Sequence, residues 1–471
     1  MGGTASGDSA TSLGYVTTAS GTSSVALGYY AQAAGNYGTA VGGSAKAEGG
    51  SSIAVGAGAE AAGGKGNTAI GHKAKVESAA GDGNIAFGSS ASVKDGAGHV
   101  VIGKNASANT VNGYGIAIGN SASIGIGAAA DAAAIGTGSR VEGSGIAFGR
   151  QAQVTASSTE SGIAIGTESS VDGAQKGTAI GYKAKVLSSG DDSGLAIGTE
   201  SSAGGNEGSI ALGKKASVDS STNAGGVAIG LNASAKGISS IVIGKDAKAD
   251  DGNQAHVIAI GVGATATGTS QYSSVMGSAA KASREYSTVL GSNANSGVDG
   301  GVALGANSIS NRHAGGSATG DVRTTNPYIP AGAGAAQVNA INATKGTTGA
   351  VSVGSDTVKR QIINVAAGTD DSDAVNVAQL KAATANAAGS VSWTVQENYS
   401  DVNEVKNGSK VNFADGTNTT ASVTKDASGK VTAVKYNLKK DVDLGSNGSL
   451  TIGNVKINNT GINAGNKQIT N

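Results

Sequence analysis

The sequence of 471 residues has no cysteine, two prolines and few large apolar side chains, with 3 Phe, 1 Trp and 2 Met. The lack of cysteine excludes disulfide bonds and thiolate metal sites. The formal net charge of zero gives no electrostatic reason to expect nucleic acid or an anionic membrane as a partner. No apolar run approaches the roughly 20 residues of a membrane helix, and no signal peptide follows Met1.

Glycine is abundant instead, with 79 copies, and many of them close a recurring phrase: apolar, small, apolar, glycine. Val25-Ala26-Leu27-Gly28 and Ile163-Ala164-Ile165-Gly166 are two copies. Successive closing glycines lie 13 to 17 residues apart, and a fixed period of this kind indicates a solenoid. The 20 closing glycines are Gly14, Gly28, Gly42, Gly56, Gly71, Gly88, Gly103, Gly119, Gly136, Gly149, Gly166, Gly181, Gly198, Gly213, Gly230, Gly244, Gly261, Gly277, Gly291 and Gly305.

A second, weaker phrase starts three residues after the glycine, as in Ala45-Lys46-Ala47 and Ala184-Lys185-Val186. Both phrases alternate with period 2, so both predict short strands. Two strands and two turns fill the repeat, which leaves no room for a helix. We therefore predict flat, narrow coils that pair through parallel strands, with glycine where φ is positive or where backbones approach closely.

Such thin coils bury little, because large apolar side chains are scarce. Self-association would let each chain cover the flat apolar face of the others. The sequence therefore predicts a parallel homo-oligomer.

The repeat breaks over residues 311–350, which hold both prolines in Asn326-Pro327-Tyr328-Ile329-Pro330. Ala350-Val351-Ser352-Val353-Gly354 then restores the phrase once, which predicts a final coil after the insertion. An insertion of this length is typical of a functional loop or a packing element.

A helix is predicted beyond this coil, with Asp373 as its N-cap and Gly389 as its stop. The spacing inside it predicts a short coiled-coil seam, and an ordinary amphipathic helix is the alternative. The seam residues, at 3-4-3 spacing, are Val377, Leu380, Thr384 and Ala387.

Strand-like alternation returns after Gly389, first in residues 391–395. A strand over 430–438 follows a turn at 426–429, and the last 25 residues alternate again. The final residues 468–471 correspond to Gln361-Ile362-Ile363-Asn364, so we expect the chain to be a segment of a longer modular protein.

Together these features resemble the passenger of a trimeric autotransporter adhesin from a Gram-negative bacterium. The repeats are similar to YadA-like head repeats, Gln361 to Leu380 is similar to the family's neck, and Ala350 to Gly354 with the insertion before it is similar to the head insert. Trp393 onward resembles a Trp-ring domain, and Gly461-Ile462-Asn463 matches the triplet that names the GIN domain.

The resemblance implies a mostly β fold: a left-handed parallel β-roll solenoid head as a parallel homotrimer, then a neck with a short coiled coil and a small β domain. The expected domains are head repeats at 1–310, head insert and last coil at 311–360, neck and coiled coil at 361–388, a Trp-ring-like β domain at 389–442 and a GIN-like segment at 443–471.

The resemblance also implies a location on the bacterial cell surface, through an outer-membrane anchor that is absent from this sequence. It implies adhesion to extracellular matrix, to host cell-surface receptors or to other bacteria. Some heads of the family bind collagen through Asn-Ser-Val-Ala-Ile-Gly repeats. This chain departs from that pattern, because the positions before the phrase are mixed, as in Asn67-Thr68-Ala69-Ile70-Gly71.

No enzymatic activity or cofactor is predicted. Matches to G-x-G-x-x-A begin at Gly56, Gly125 and Gly261, but no helix can follow them as a dinucleotide site requires. A glycan hydrolase or lyase on a β-solenoid would need a carboxylate cluster on one face, which is not visible. No metal-ligand spacing connects the four histidines, which are His72, His99, His256 and His313.

Tyrosines are the candidate receptor contacts, because tyrosine is enriched at interaction hot spots. Tyr272 and Tyr286 each lie five residues before a closing glycine, one coil apart, so we expect them to stack as a ladder. The filling of turns between coils is the alternative role. The candidates are Tyr15, Tyr29, Tyr30 and Tyr37 near the N-terminus, Tyr272 and Tyr286, and Tyr328 with Ile329 between the prolines.

Trp393 is the only tryptophan. We expect it to pack against its symmetry mates near the trimer axis, where a large aromatic ring buries most area. A ligand platform is the alternative. With Val377 and Leu380 it makes up the predicted trimer core.

The leading hypothesis is a cell-surface adhesin that docks through three identical faces, so that weak single contacts add up to avidity for a host cell receptor or a matrix protein. The alternative is a structural spacer or autoaggregation fibre without a specific host receptor.

Overall fold

The computed structural model describes residues 2–110, 114–125, 131–155, 162–173, 176–187, 193–205, 208–219, 225–250, 256–313, 327–389, 391–406, 408–466 and 468. The chain divides into two compact units, Met1–Gln361 and Ile362–Asn471. The predicted correspondence of residues 468–471 with the start of the neck falls largely outside the described residues.

The first unit is a parallel β-solenoid, built in its described residues from a pair of sheets with 21 strands each. The recurring phrase forms one sheet, here named the phrase sheet, and the weaker phrase forms the other, the companion sheet. Each strand pairs in parallel with the equivalent strand one coil on, as Val25–Leu27 does with Thr39–Val41. The predicted parallel β-solenoid is confirmed, and no helix lies in those parts of its coils that the structure describes.

The phrase sheet consists of Thr11–Leu13, Val25–Leu27, Thr39–Val41, Ile53–Val55, Thr68–Ile70, Ile85–Phe87, Val100–Ile102, Gly115–Ile118, Ala132–Ile135, Gly145–Phe148, Gly162–Ile165, Thr178–Ile180, Leu195–Ile197, Ile210–Leu212, Val227–Ile229, Ile241–Ile243, Ile258–Ile260, Ser274–Met276, Thr288–Leu290, Val302–Leu304 and Val351–Ser352. The companion sheet consists of Thr4–Ala5, Thr18–Ala19, Gln32–Ala33, Lys46–Ala47, Glu60–Ala61, Lys75–Val76, Ser92–Val93, Ser107–Ala108, Ser123–Ile124, Arg140–Val141, Gln153–Val154, Ser170–Asp172, Lys185–Leu187, Ser202–Gly204, Ser217–Val218, Ser234–Ala235, Lys248–Asp250, Thr265–Thr267, Lys281–Ala282, Asn295–Ser296 and Ile309–Ser310.

The interior between the two sheets is filled by small side chains. The central residue of the phrase strand is buried, as at Ala26, Ala54 and Val101. The residues on either side of it point to the opposite face of the sheet, because side chains alternate along a strand. The phrase therefore supplies one thin buried layer and one outward apolar row.

The closing glycines meet both predicted requirements. From Gly14 to Gly291 their φ angles lie between 129° and 144°, a region that L side chains rarely adopt. Coils also approach closely at this point, since a Cβ added to Gly28 would lie 2.6 Å from the carbonyl oxygen of Gly42. Only glycine satisfies both conditions, which explains its recurrence.

The two turns of each coil differ in length. The turn from the phrase sheet to the companion sheet, here the constant turn, has four residues between strand ends in every copy, as in 28–31 and 305–308. The return to the phrase sheet, here the variable turn, has three to eight residues, and 40 at the insertion of 311–350. Length changes are therefore confined to one edge of the solenoid.

The insertion returns the chain to the phrase sheet as predicted, because Val302 pairs with Val351 in the last parallel register. Helix α1 spans Ala335–Ala343 within it, and no sequence pattern predicted this helix. Arg360 closes the solenoid. Its guanidinium donates to the carbonyl oxygens of Ala306 and Val353, each at 2.6 Å. No later coil follows that could donate hydrogen bonds to these two oxygens.

The second unit contains the predicted helix, but the N-cap of this helix is not Asp373. Helix α2 spans Val377–Gly389, and Asn376 caps it: Asn376 Oδ1 accepts from the Gln379 amide at 3.0 Å, while Gln379 Oε1 accepts from the Asn376 amide at 3.3 Å. Asp373 instead caps a turn, where it accepts from the amides of Thr369 and Asp370, and these bonds lower its pKa. The reciprocal capping box at Asn376 fixes the start of the helix. The helix reaches the predicted stop, Gly389, and the residue after it lies outside the described residues.

The rest of this unit contains antiparallel strands. Those over 392–397, 431–438 and 449–463 lie where alternation predicted strands, whereas Ser400–Lys406 and Thr419–Lys425 were not predicted. Two hairpins pair Ser392–Glu397 with Ser400–Lys406 and Thr419–Lys425 with Val431–Leu438. A three-stranded sheet follows, formed by Ser449–Ile452, Val455–Asn458 and Gly461–Asn463.

Candidate functional site

The first tyrosine group lies on the constant turns of two successive coils. The rings of Tyr15 and Tyr29 stack with centroids 5.5 Å apart and planes 8° from parallel. The ring of Tyr30 contacts Tyr29 edge-on at 4.4 Å. All three side chains are exposed. The chain thus brings these three predicted contacts together.

Tyr37 is separate from this group, because it lies on a variable turn. Its side chain is 64% exposed. Within the residues that the structure describes, no aromatic ring packs against it. Its φ of 62° places the backbone in the left-handed region.

The predicted stacking of Tyr272 and Tyr286 is confirmed, with ring centroids 5.3 Å apart and planes 8° from parallel. His256 adds a third ring, 5.3 Å from Tyr272 and 16° from parallel. All three residues precede a phrase strand by two positions on variable turns and are exposed. We name His256, Tyr272 and Tyr286 the ring ladder.

The spacing argument applies equally to His256, which also lies five residues before a closing glycine, Gly261. Sequence reasoning considered the histidines only as metal ligands and so missed this role. Among the described residues, no group of His, Cys, Asp and Glu is arranged to hold a metal ion.

His99 is buried, and its surroundings are structural. It continues a series of side-chain acceptors on the variable turn: Asn67 Oδ1 accepts from the Asn84 amide and Asn84 Oδ1 from the His99 amide, each at 2.9 Å. His99 Nδ1 then accepts from the Gly115 amide at 2.8 Å, so its proton resides on Nε2, 3.1 Å from Thr110 Oγ1.

Burial lowers the pKa of His99, and this effect outweighs the hydrogen bonds around its ring and the nearby Asp95 carboxylate, which act in the opposite direction.

Tyr328 and Ile329 lie in the second described part of the insertion, which begins at Pro327. Tyr328 is 84% exposed. The following residues, Pro330 and Ala333, line a shallow pocket with Ile341 of α1. The structure therefore leaves this pair open to solvent, and among the described residues no ring of the ring ladder stacks with Tyr328.

The predicted trimer-core residues are exposed in the single chain. Val377, Leu380 and Trp393 are 67%, 55% and 55% exposed. They lie on α2 and on the strand that follows it. Their exposure leaves apolar surface available to other chains.

The glycine motifs behave as turns, as expected. After Gly56 and Gly261 the chain continues into the companion strands Glu60–Ala61 and Thr265–Thr267 instead of a helix. Most of the match that begins at Gly125 lies outside the described residues. Among the residues described, no helix is both long and apolar enough to cross a membrane.

Three family profiles match the chain. The profile described as "YadA head domain repeat (2 copies)" matches residues 5–31, 33–59, 221–250, 269–294 and 285–308. Those described as "Coiled stalk of trimeric autotransporter adhesin" and "Trimeric autotransporter adhesin, Trp ring domain" match residues 361–401 and 402–439. Trp393 falls within the stalk match.

Two curated relatives are similar to portions of the chain. "Autotransporter adhesin BadA" of Bartonella henselae is 36% identical over 138 residues, which is 27% of this chain and 4% of the relative. "Trimeric autotransporter adhesin AtaA" of Acinetobacter sp. (strain Tol 5) is 34% identical over 166 residues, 28% of this chain and 4% of the relative. The matches thus span a small fraction of these relatives' length.

Proposed function

Because this chain belongs to the trimeric autotransporter adhesins, we propose that it is a segment of a bacterial cell-surface adhesin. Three copies assemble in parallel and present repeated contact surfaces to a host receptor or a matrix protein. The proposal assigns no catalytic step to the chain.

The outward apolar row of the phrase sheet is the observation that carries this proposal. A contiguous apolar face is rare on a monomeric protein and marks an interaction surface. Copies of the same chain fit such a face, because every coil repeats it at the same register. Its most exposed members are Leu13, Leu27, Ile53, Ile85, Phe87, Ile102, Ile116, Ile146, Phe148, Ile165, Leu212, Ile241, Ile258, Met276, Leu290, Leu304 and Val351.

Trimerisation raises the effective concentration of any weak contact site on the chain. The tyrosine groups are the proposed contacts, because their rings are exposed and their positions are fixed by the coils. Within the second unit, α2 and Trp393 are proposed to pack at the trimer axis. We also propose that the domains have the boundaries given in the sequence analysis.

Two measurements test the proposal. Light scattering of the purified chain should give the mass of three copies, and a monomer would contradict it. Beads coated with the chain should bind one of a panel of matrix proteins and receptor ectodomains saturably. Clumping of the beads without saturable binding would favour the spacer or autoaggregation fibre instead.

A further inference from the structure

The ring ladder lies on the edge of the solenoid that tolerates changes in length. Variable turns range from three to eight residues and include the 40-residue insertion, whereas constant turns always have four. A close contact with identical chains along this edge would have to accommodate variable turns of many different lengths. In solenoids the edge that carries insertions is often the binding face. The ring ladder therefore remains accessible in an oligomer.

The ring ladder also ends in an open ring face. The Tyr286 amide donates to the Gln271 carbonyl at 3.0 Å, and the Gly300 amide donates to the Glu285 carbonyl at 2.9 Å, so Gly300 is the next step of the ladder. Gly300 has no side chain to cover the ring. Accordingly, Tyr286 is 59% exposed, compared with 46% for Tyr272 between its two neighbours.

Polar groups flank this open face. The Thr348 hydroxyl lies where a Cβ of Gly300 would stand, so glycine is required there for the hydroxyl to fit. The Glu285 carboxylate accepts from Gln271 Nε2 at 2.6 Å, and a carboxylate accepts more than one hydrogen bond. The Thr348 hydroxyl thus lies beside Gly300, next in the ladder to the open ring face, while the Glu285 carboxylate is bonded to the preceding coil.

We propose that Tyr286 and Thr348 form a subsite for one pyranose ring of a neutral glycan. A pyranose has an apolar C–H face that packs on an aromatic ring and hydroxyl groups that exchange hydrogen bonds with a side-chain hydroxyl such as that of Thr348. Stacking on Tyr272 fixes the Tyr286 ring before binding, which reduces the entropy lost on association. The Glu285 charge disfavours acidic sugars. The inference rests on the proposed adhesive function and names the chemistry of its ligand.

Saturation-transfer NMR of the full chain with methyl β-D-galactopyranoside, methyl β-D-glucopyranoside and methyl α-D-mannopyranoside tests the subsite. Tyr286→Asn should lower the affinity for the bound sugar by about tenfold or more, as for an interface hot spot. Tyr37→Asn is the matched control, because Tyr37 occupies the same turn position with the same backbone region and no stacked ring. Asparagine adopts this backbone elsewhere in the chain, at Asn105 and Asn232, so both variants should fold.

Thr348→Val provides a second test, since it removes the hydroxyl and keeps the shape, and it should weaken sugar binding by a factor of about 5–10. Equal affinity in the Tyr286→Asn and Tyr37→Asn chains would overturn the subsite. The absence of saturation transfer to all three sugars would also overturn it. A chain that binds a lysine-rich peptide but no sugar, and loses that peptide binding in Tyr286→Asn, would overturn it as well.

Cell adhesion separates this inference from the function on which it rests. Beads that carry the unaltered chain should lose adhesion when host cells are treated with glycosidases, and beads with Tyr286→Asn should adhere less. Adhesion that persists in both cases would overturn the glycan subsite and leave the adhesin proposal intact. Failure of the unaltered chain to adhere to any cell or matrix protein would contradict the adhesin proposal itself.

Discussion

The two units of the chain differ in how much a single copy can bury. The solenoid has fully buried residues along its length, such as Ala26, Val101 and Ala303, because each coil is covered by its neighbours. In the second unit, none of the described residues is buried, and isolated hairpins are marginally stable in water. We infer that one chain can hold the solenoid together, whereas the second unit takes its core from other copies.

The largest expected effect comes from Leu380→Asp, which tests this difference directly. If α2 packs at the trimer axis, three carboxylates would meet there and cost about 3–5 kcal/mol per chain, as uncompensated buried charges do. The second unit should then lose its packing, while the solenoid keeps its β signal in circular dichroism. Trp393 reports on the second unit alone, because it is the only tryptophan. Its emission should shift to longer wavelength.

Lys381→Asp is the control for this change. It places the same carboxylate on the adjacent residue of α2, outside the predicted seam. The emission of Trp393 should stay as in the unaltered chain. An equal shift in both variants would contradict the predicted seam.

The next effect concerns the solenoid. A Cβ on Gly213 would lie 2.6 Å from the carbonyl oxygen of Gly230, at a φ of 134°. Gly213→Ala should therefore lower the free energy of unfolding of the solenoid by about 2–4 kcal/mol, from backbone strain and overpacking. Urea unfolding followed by circular dichroism, at fixed protein concentration, measures it.

Gly263→Ala is the matched control, since its added Cβ would meet no atom within 4 Å and its φ is 65°. It should cost about 1 kcal/mol, as is ordinary for a left-handed backbone. The Trp393 emission at zero urea should be unchanged in both variants. A shift in Gly213→Ala would show that the second unit depends on the solenoid, against the inferred contrast between the two units.

Sequence reasoning succeeded where one physical requirement recurs in every coil. The closing glycines and the spacing of Tyr272 and Tyr286 determine φ, register and ring stacking without reference to distant regions of the chain. Helix α1 was missed because its alanine-rich sequence has the same composition as the coils. The N-cap at Asp373 was wrong because Asn376 forms a reciprocal hydrogen-bond pair with Gln379, which outweighs the cap preference of a single residue.

Other features depend on contacts that no periodicity encodes. Arg360 lies 54 residues from Ala306 in the sequence, and nothing local marks it as the closing residue of the solenoid. The hydroxyl group beside Gly300 likewise comes from the insertion, through Thr348. Long-range juxtapositions of this kind follow from the path of the insertion, which the repeat pattern does not specify.

Arg360→Met tests whether the hydrogen bonds from Arg360 stabilise the last coil of the solenoid. It removes donors to two carbonyl groups and should destabilise that coil by about 1–3 kcal/mol, the cost of unsatisfied polar groups. Hydrogen exchange should rise in residues 305–310 and not in coils near Gly28. Lys359→Met is the control, because Lys359 bonds only locally, through Nζ to the Ser355 carbonyl at 2.8 Å. Equal exchange in both variants would contradict the capping role of Arg360.

The smallest effect is the pH dependence that His99 gives to the solenoid. Its pKa in the folded chain is lowered from 6.5, so the unfolded chain binds more protons as the pH falls through that value. The contribution of neutral His99 to stability is therefore present above pH 6.5 and declines at lower pH.

His99→Asn should reduce the loss of stability between about pH 7.5 and pH 5, because Asn67 and Asn84 fill the same turn position without titrating. His72→Asn, at an exposed histidine on a constant turn, is the control. If His99→Asn and the unaltered chain lose the same stability on acidification, the acid sensitivity of the solenoid lies elsewhere.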